Sequence, residues 1–172
     1  MMNDQLIKLE HTLEVVSQTH RGDFVIETAS KILALDVSHE QAHFHIIFAY
    51  YHLQQFAQMF EAIQRAHPYV INSDWIHYVY YLYYLTQGGQ EYLDAKEHIE
   101  TAIRISPQKA LYHRSLGEIY LINREPNKAI GPLMTAVTLM PTHAEYRSRL
   151  ALALLRAKKV ADSLKMADQA LK

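Results

Sequence analysis

The segment KAIGPLMTAVTLMP, residues 128–141, has the same outline as the segment DAKEHIETAIRISP, residues 94–107. Both end on a proline, at Pro107 and at Pro141. Small and apolar residues recur at matching places before each proline, in the pairs Ala95 and Ala129, Ile99 and Leu133, and Ala102 and Ala136. A fixed period of about 34 residues indicates a chain built from repeated supersecondary units.

The period extends in both directions along the chain. Leu82, Leu116 and Leu150 align in the first half of successive units. In the second half, Ser163 follows Ala129 by one full period. Apolar residues within each unit keep helical spacing, so each unit is predicted to hold two helices.

One unit carries the complete pattern of a known repeat, through Leu116, Gly117, Tyr120, Ala129, Leu133, Ala136 and Pro141. These residues resemble the tetratricopeptide repeat family, whose unit is a pair of antiparallel helices with a small residue midway along each. The resemblance implies an all-α fold, a right-handed superhelical array of about five helix pairs in a single domain over residues 1–172. The repeats are expected at approximately 6–39, 40–73, 76–109, 110–143 and 144–172, with two extra residues after the second.

Composition excludes several classes of protein. The 172 residues are 49% apolar and 20% charged, which is typical of a folded globular chain. There is no cysteine, so disulfides, thiolate zinc sites and a cysteine nucleophile are excluded. The chain begins without a secretory signal pattern and has no stretch of about 18 uncharged apolar residues. We therefore expect a cytoplasmic protein with no membrane span and no cofactor.

The charges are distributed unevenly. Residues 1–109 carry 7 Lys and Arg against 13 Asp and Glu, whereas residues 110–172 carry 10 against 5. The basic residues are spread along the second part rather than clustered, which argues against a nucleic-acid partner. The two parts are either ordinary solvated surfaces or the ends of a dipolar molecule.

Local signals at helix ends agree with the repeat. Ser38, with Gln41 three residues later, has the form of a capping box that opens a helix. Pro132 falls inside a predicted second helix, where it removes a backbone hydrogen bond and should bend the helix.

The segment WIHYVYYLYYL, residues 75–85, is too long for a typical strand and is predicted to be helical. Its rings either fill a core or are displayed to a partner. At 100° per residue, Trp75 and Tyr83 fall on the predicted inner side, and Tyr83 stands where the family has a small residue. The opposite side is predicted to display His77, Tyr80, Tyr81 and Tyr84.

The preceding repeat divides in the same way, with Phe44, Phe48, Tyr51 and His52 in a second stripe. By resemblance, this stripe of each first helix faces a concave groove, a surface that repeat proteins commonly use for binding. The predicted groove is acidic at Glu10 and Glu14, aromatic in the middle, and basic further along. The predicted charged residues of its later part are Arg114, Glu118 and Arg149.

A different chemistry is suggested by HEQAH, residues 39–43, a literal H-E-x-x-H motif. Its spacing would place His39 and His43 on one helical face, and Glu61 lies further along as a possible third ligand. A catalytic zinc also needs an open coordination position and a substrate cleft. The zinc-dependent hydrolase is kept as a remote alternative, and no metal site is predicted.

The sequence therefore predicts a non-enzymatic, chaperone-like scaffold that binds a protein or peptide in an aromatic groove. A second interpretation is a module that forms homo-oligomers, or one domain of a larger protein. It rests on the last repeat, where Leu164, Ala167 and Leu171 are expected to lack a covering helix.

Overall fold

A computed structural model describes residues 2–19, 21–88 and 91–170. Within these ranges the chain forms ten helices, whose bounds are α1 Met2–Ser17, α2 Gly22–Leu35, α3 Glu40–His52, α4 Phe56–Val70, α5 Asp74–Gln87, α6 Tyr92–Ile105, α7 Ala110–Ile122, α8 Pro126–Leu139, α9 Ala144–Arg156 and α10 Val160–Ala170. The described residues contain no strand. The predicted all-α array of helix pairs is confirmed.

The helices belong to two compact units, which divide between Gln87 and Gly88. In the first unit each helix from α1 to α4 packs on the next one, and α3 also contacts α5. In the second unit each helix from α6 to α9 packs on the next one, and α7 also contacts α9. The single domain over 1–172 stays a prediction.

The two extra residues lie at a different place from the predicted one. The interval from the start of α3 at Glu40 to the start of α4 at Phe56 equals that from α7 to α8. The interval from the start of α5 at Asp74 to the start of α6 at Tyr92 is longer by two residues. The extra residues therefore fall between the starts of α5 and α6, and α5 begins one full period after α3.

Four of the turns between successive helices share one backbone feature. Gln54, Arg124 and Lys158 have φ values of 57°, 60° and 62°, and Gly88 has a φ of 71°. A residue in this left-handed region ends a helix by turning the chain sharply. Only Gly88 adopts it without the steric cost of a side chain.

Each unit has its own buried core. In the first unit the fully enclosed side chains include Ala29, Ile32, Ile47, Met59 and Ile63. In the second unit one buried cluster consists of Leu121, Ala129, Leu133, Leu150, Ala153 and Leu154, and a smaller one of Ala110, Ala136 and Tyr146. Burying a large aliphatic side chain contributes about 1.5–3 kcal/mol, so these contacts hold the helix pairs together.

Small residues allow the helices of a pair to approach closely, as the repeat pattern predicts. Ala129 and Ala136 are fully buried on α8. A Cβ atom on Gly117 of α7 would lie 2.5 Å from Cγ of Leu133, which is closer than packed atoms tolerate. The absence of a side chain at Gly117 therefore makes room for Leu133.

The start of α3 corrects the predicted capping box. The N-cap is His39, whose Nδ1 accepts the backbone N–H of Ala42 at 3.2 Å. Ser38 instead donates its hydroxyl to Oδ1 of Asp36 at 2.7 Å. An imidazole nitrogen thus satisfies a free N–H of the first turn, as a hydroxyl or carboxylate does at most N-caps. Pro132 lies inside α8, and the bend expected there stays a prediction.

Candidate functional site

The start of α5 decides which of its rings are displayed. Tyr81 is the eighth residue of α5, as Ile47 is of α3 and Gly117 of α7. All three are buried, and Tyr81 is only 1% exposed. The prediction that Tyr81 is displayed was wrong, because the extra residues had been placed before α5. Two residues rotate a helix face by about 200°. It is Tyr81, not Tyr83, that takes the place of the family's small residue.

Rings from α3 and α5 meet in one cluster, which we call the aromatic surface, formed by Phe44, Phe48, Tyr51, Trp75 and Tyr78. All five side chains are half-buried. The ring centroids lie 4.4 Å apart for Phe44 and Phe48, 5.5 Å for Phe44 and Trp75, 6.4 Å for Phe48 and Tyr78, and 6.5 Å for Phe48 and Tyr51. The Phe44–Trp75 contact is edge-to-face and the Phe48–Tyr78 contact is stacked, both favourable geometries for aromatic pairs.

Polar contacts hold the α5 side of this surface. The indole N–H of Trp75 donates to Oε1 of Glu40, and the Ser73 hydroxyl donates to the same oxygen at 2.7 Å. Glu40 therefore fixes the indole at the start of α5 against Phe44. Trp75 was predicted to lie inside, whereas its ring is a half-buried part of the surface.

The other predicted rings of α5 lie on a different face. Tyr80 contacts His67 of α4 at a centroid distance of 5.8 Å and Tyr84 at 6.4 Å, and His77 precedes Tyr80 by about one turn. Burial, with a smaller effect of Tyr84, raises the pKa of Tyr80. Tyr83 stacks on Phe60 of α4 at 4.6 Å. His77, Tyr80 and Tyr84 therefore correspond to the face of α3 that carries His43, Ile46 and Tyr50.

An open cleft lies beside the aromatic surface. It has a volume of about 600 Å³ and is bordered by the end of α1, the start of α2, and Phe44, Phe48 and His52 of α3. His52, predicted as a groove residue, is exposed at its edge. A cleft of this size is within the range that holds small ligands or several side chains of a peptide.

The predicted charged residues of the second unit, Arg114, Glu118 and Arg149, form ion pairs between α7 and α9. Nη2 of Arg114 on α7 donates to Oε1 of Glu145 on α9 at 2.6 Å. Nη1 of Arg149 on α9 donates to Oε1 of Glu118 on α7 at 3.3 Å. Arg114 and Glu118 are the fifth and ninth residues of α7, the places that Phe44 and Phe48 occupy in α3. Glu118 and Arg149 also line an open cleft of about 650 Å³.

The histidines of the HEQAH motif are engaged in other contacts. His39 uses Nδ1 as the N-cap acceptor and Nε2 for a 2.8 Å hydrogen bond to Oε1 of Glu10. His43 is buried, stacks on Tyr69 and donates from Nε2 to the carbonyl of Val37 at 2.8 Å. Glu61 accepts a hydrogen bond from Arg65. Across the described ranges, no three His, Asp or Glu side chains are grouped as a metal site requires.

Sequence reasoning missed Trp75 and Tyr78 as members of the site. A signal was present, because Tyr78 follows Phe44 by one full period. Counting one full period from Phe44, with no extra residues before α5, would have identified Tyr78. The assumption of two extra residues before α5 hid the match.

In the part of the chain that the structure describes, no helix is both long and apolar enough to cross a membrane. A scan against protein-family models found no match. A search among curated proteins also found none.

Solved structures give clear likenesses. The chain is similar to PilF of Pseudomonas aeruginosa, with a TM-score of 0.86 and 14% identity over 99% of this chain and 77% of that one. It is similar to TTC0263, a thermophilic TPR protein of Thermus thermophilus, with a TM-score of 0.75 and 19% identity over 99% and 90% of the two chains. It is also similar to YrrB, described as a TPR protein with an unusual peptide-binding site, with a TM-score of 0.68 and 13% identity over 92% and 81%. These likenesses, together with the helix pairs and the period of the sequence, show that the chain has the tetratricopeptide repeat fold.

Proposed function

We propose that the protein is a non-enzymatic scaffold that binds a peptide or a partner helix on the aromatic surface. The main support is one observation: five rings from two helices form a connected set of contacts, and each ring remains partly exposed to solvent. Contiguous apolar patches that remain partly exposed usually mark interaction sites. The cleft beside Phe44 and Phe48 offers a place for an anchoring side chain.

The chemistry of these rings suits protein recognition. Tyr, Trp and Phe provide large contact areas at a low cost in side-chain entropy, and Tyr and Trp add a hydrogen-bonding group. Residues of this kind often contribute about 2 kcal/mol or more each at an interface. The YrrB likeness is compatible with peptide binding, since that protein is described as having a peptide-binding site.

The contacts of the two histidines of the HEQAH motif argue against catalysis by this motif. His39 links the cap of α3 to Glu10, and His43 is buried against Tyr69. Both rings would have to leave these contacts to reach a shared metal ion. A zinc-dependent hydrolase through His39 and His43 is therefore not proposed.

Affinity capture from the native cell, with the full chain as bait, tests the proposal. We expect Phe48→Ala/Tyr78→Ala to lose the captured partner. Tyr80→Ala/Tyr84→Ala is the matched control, because it removes two rings from the other face and should retain the partner. Circular dichroism melting of each variant shows whether it is folded. Equal capture by the wild type and a folded Phe48→Ala/Tyr78→Ala variant would refute this function.

Self-association is a second candidate, and it is favoured by exposed apolar side chains near α10. Leu155 and Val160 are each 52% exposed, and Leu164 is 67% exposed. Leu171, also expected there, lies outside the described residues. If these side chains form a homo-oligomeric contact, light scattering should show a dimer or larger. Val160→Glu/Leu164→Glu should then be monomeric, whereas the exposed-site control Met134→Glu should not. A monomeric wild type counts against the candidate.

A further inference from the structure

Two open clefts on the first unit are lined by residues of α1 and α3 and share part of their lining. One, of about 520 Å³, is lined by residues that include Glu10, Glu14 and His39. The other is the 600 Å³ cleft beside Phe44 and Phe48. Ser17, Gln18 and His45 line both of them, so the two clefts are adjacent, and together we call them the trough.

The trough has charge of one sign. Glu10 and Glu14 are carboxylates, and among the residues that the structure describes no lysine or arginine lines either cleft. The surrounding unit has the same bias, because residues 1–87 contain 4 Lys and Arg against 9 Asp and Glu. Charge of one sign around a cleft attracts ligands of the opposite charge and speeds their association.

Two histidines, His39 and His45, line the cleft that contains these carboxylates. His39 accepts the N–H of Ala42 at Nδ1, so its proton lies on Nε2 and is donated to Glu10. Burial lowers the pKa of His45, which disfavours a positive charge on that ring.

The other end of the trough is aromatic. Phe44 and Phe48 border it with their rings 4.4 Å apart, and the exposed His52 lies at its rim. Aromatic faces bind apolar side chains, and they also attract cations through the negative potential above the ring. The trough therefore combines carboxylates with an apolar wall within one surface.

We propose that the trough binds a peptide segment in which lysine or arginine alternates with bulky apolar residues. This inference rests on the proposed function and specifies its ligand. The apolar side chains occupy the cleft at Phe44 and Phe48, while the cationic side chains reach Glu10 and Glu14. An acidic segment would place like charges together, which disfavours binding and so gives selectivity.

Fluorescence anisotropy with three labelled peptides tests the ligand class on the full chain. The first peptide alternates arginine with leucine, the second has glutamate in place of each arginine, and the third has serine in place of each leucine. We expect the first to bind at least about tenfold more tightly than either of the others, in a manner that weakens as salt is added.

Variants of the protein locate the interaction. Glu10→Gln/Glu14→Gln should weaken binding of the arginine–leucine peptide by roughly three- to tenfold and reduce its salt dependence. The control Glu27→Gln/Glu61→Gln removes the same charge from exposed sites outside the trough and should leave binding unchanged. Phe48→Ala should weaken binding in both low and high salt.

The outcomes separate this inference from the proposed function. Equal affinity for the glutamate–leucine peptide, or no effect of Glu10→Gln/Glu14→Gln, overturns the cationic ligand class. If Phe48→Ala still abolishes binding in that case, the aromatic surface remains a peptide-binding site. Failure of all three peptides to bind also overturns the ligand class, while the capture experiment decides the proposed function independently.

Discussion

At Gly117, α7 and α8 of the second unit approach so closely that a side chain at this position would meet Leu133. An added Cβ would lie 2.5 Å from Cγ of Leu133, and Leu133 is itself fully buried among α7, α8 and α9. An added Cβ would therefore have to displace a packed side chain in the core. The close approach therefore depends on glycine at this position.

Gly117→Ala should lower the free energy of unfolding. Overpacking of this kind costs about 1–3 kcal/mol, offset in part by the better helix propensity of alanine. Gly131→Ala on α8 is the matched control, because nothing beyond its chain neighbours and its own helix backbone lies within 4 Å of its added Cβ. The control should change the free energy of unfolding much less, because the helix-propensity gain of alanine is offset by the clash of its Cβ with the ring of Pro132, the next residue. Urea unfolding midpoints measure both, and equal shifts in the two variants would contradict the packing.

The small residues at these contacts could be predicted from the sequence. Gly117, Ala129 and Ala136 recur with the period, and a repeat with close helix pairs tolerates only small residues there. The N-cap at His39 could not be predicted in this way. Ser38 has the more common capping side chain, and only the geometry shows that it bonds to Asp36 instead.

At the scale of the element, α3 carries part of the aromatic surface and also two histidines through which the stability of the first unit should depend on pH. His43 and His45 are separated by a single residue in the helix, and burial lowers the pKa of both side chains. For His43 the hydrogen bond to Val37 acts in the opposite direction and His39 adds to the lowering. Both rings are therefore neutral in the folded protein at a pH where the unfolded chain begins to protonate them.

The sign of the effect follows from linkage. A histidine whose folded pKa lies below its unfolded value stabilises the fold above the unfolded pKa, and that stability is lost as pH falls. The melting temperature should therefore decrease from about pH 7.5 to about pH 5.5. His43→Gln/His45→Gln should flatten this dependence, whereas the exposed-site control His11→Gln should not. An unchanged slope in the double variant would show that other groups control it.

The helix α5 shows why part of the site escaped prediction. Asn72-Ser73 before the helix and Gly88-Gly89 near its end both have the composition of turns, so the sequence allows the extra residues at either place. Rings occur on every side of the segment 75–85, and its hydrophobic pattern cannot choose between the two registers. The stripe of α3 has no such ambiguity, and its rings Phe44 and Phe48 do contact each other.

At the scale of the whole molecule, the fold is built from contacts between helices that are close in the chain. Within each unit a helix packs on the next one, with α3–α5 and α7–α9 as the additional contacts. The period of the sequence, together with the resemblance to the tetratricopeptide repeat, was sufficient to predict an array of helix pairs. The ion pairs from α7 to α9, Arg114–Glu145 and Glu118–Arg149, were not predicted because they depend on side-chain directions across two helices.

Local packing of this kind should confine the effect of a mutation. Stability in a repeat array is approximately a sum of repeat terms and contacts between neighbours, so a change in one repeat loosens mainly that repeat and its neighbours.

Ala136→Leu on α8 adds three carbons at a fully buried position and should cost about 1–3 kcal/mol. Hydrogen exchange followed by mass spectrometry should then show faster exchange in α7, α8 and α9. The amides of α2, α3 and α4 should retain their protection, because their core consists of first-unit side chains such as Ile32, Ile47 and Met59. Met134→Leu, at an exposed position on the same helix, is the control and should leave every helix unchanged. If Ala136→Leu accelerates exchange equally in both sets of helices, the chain unfolds as one cooperative body and the nearest-neighbour description of its stability is wrong.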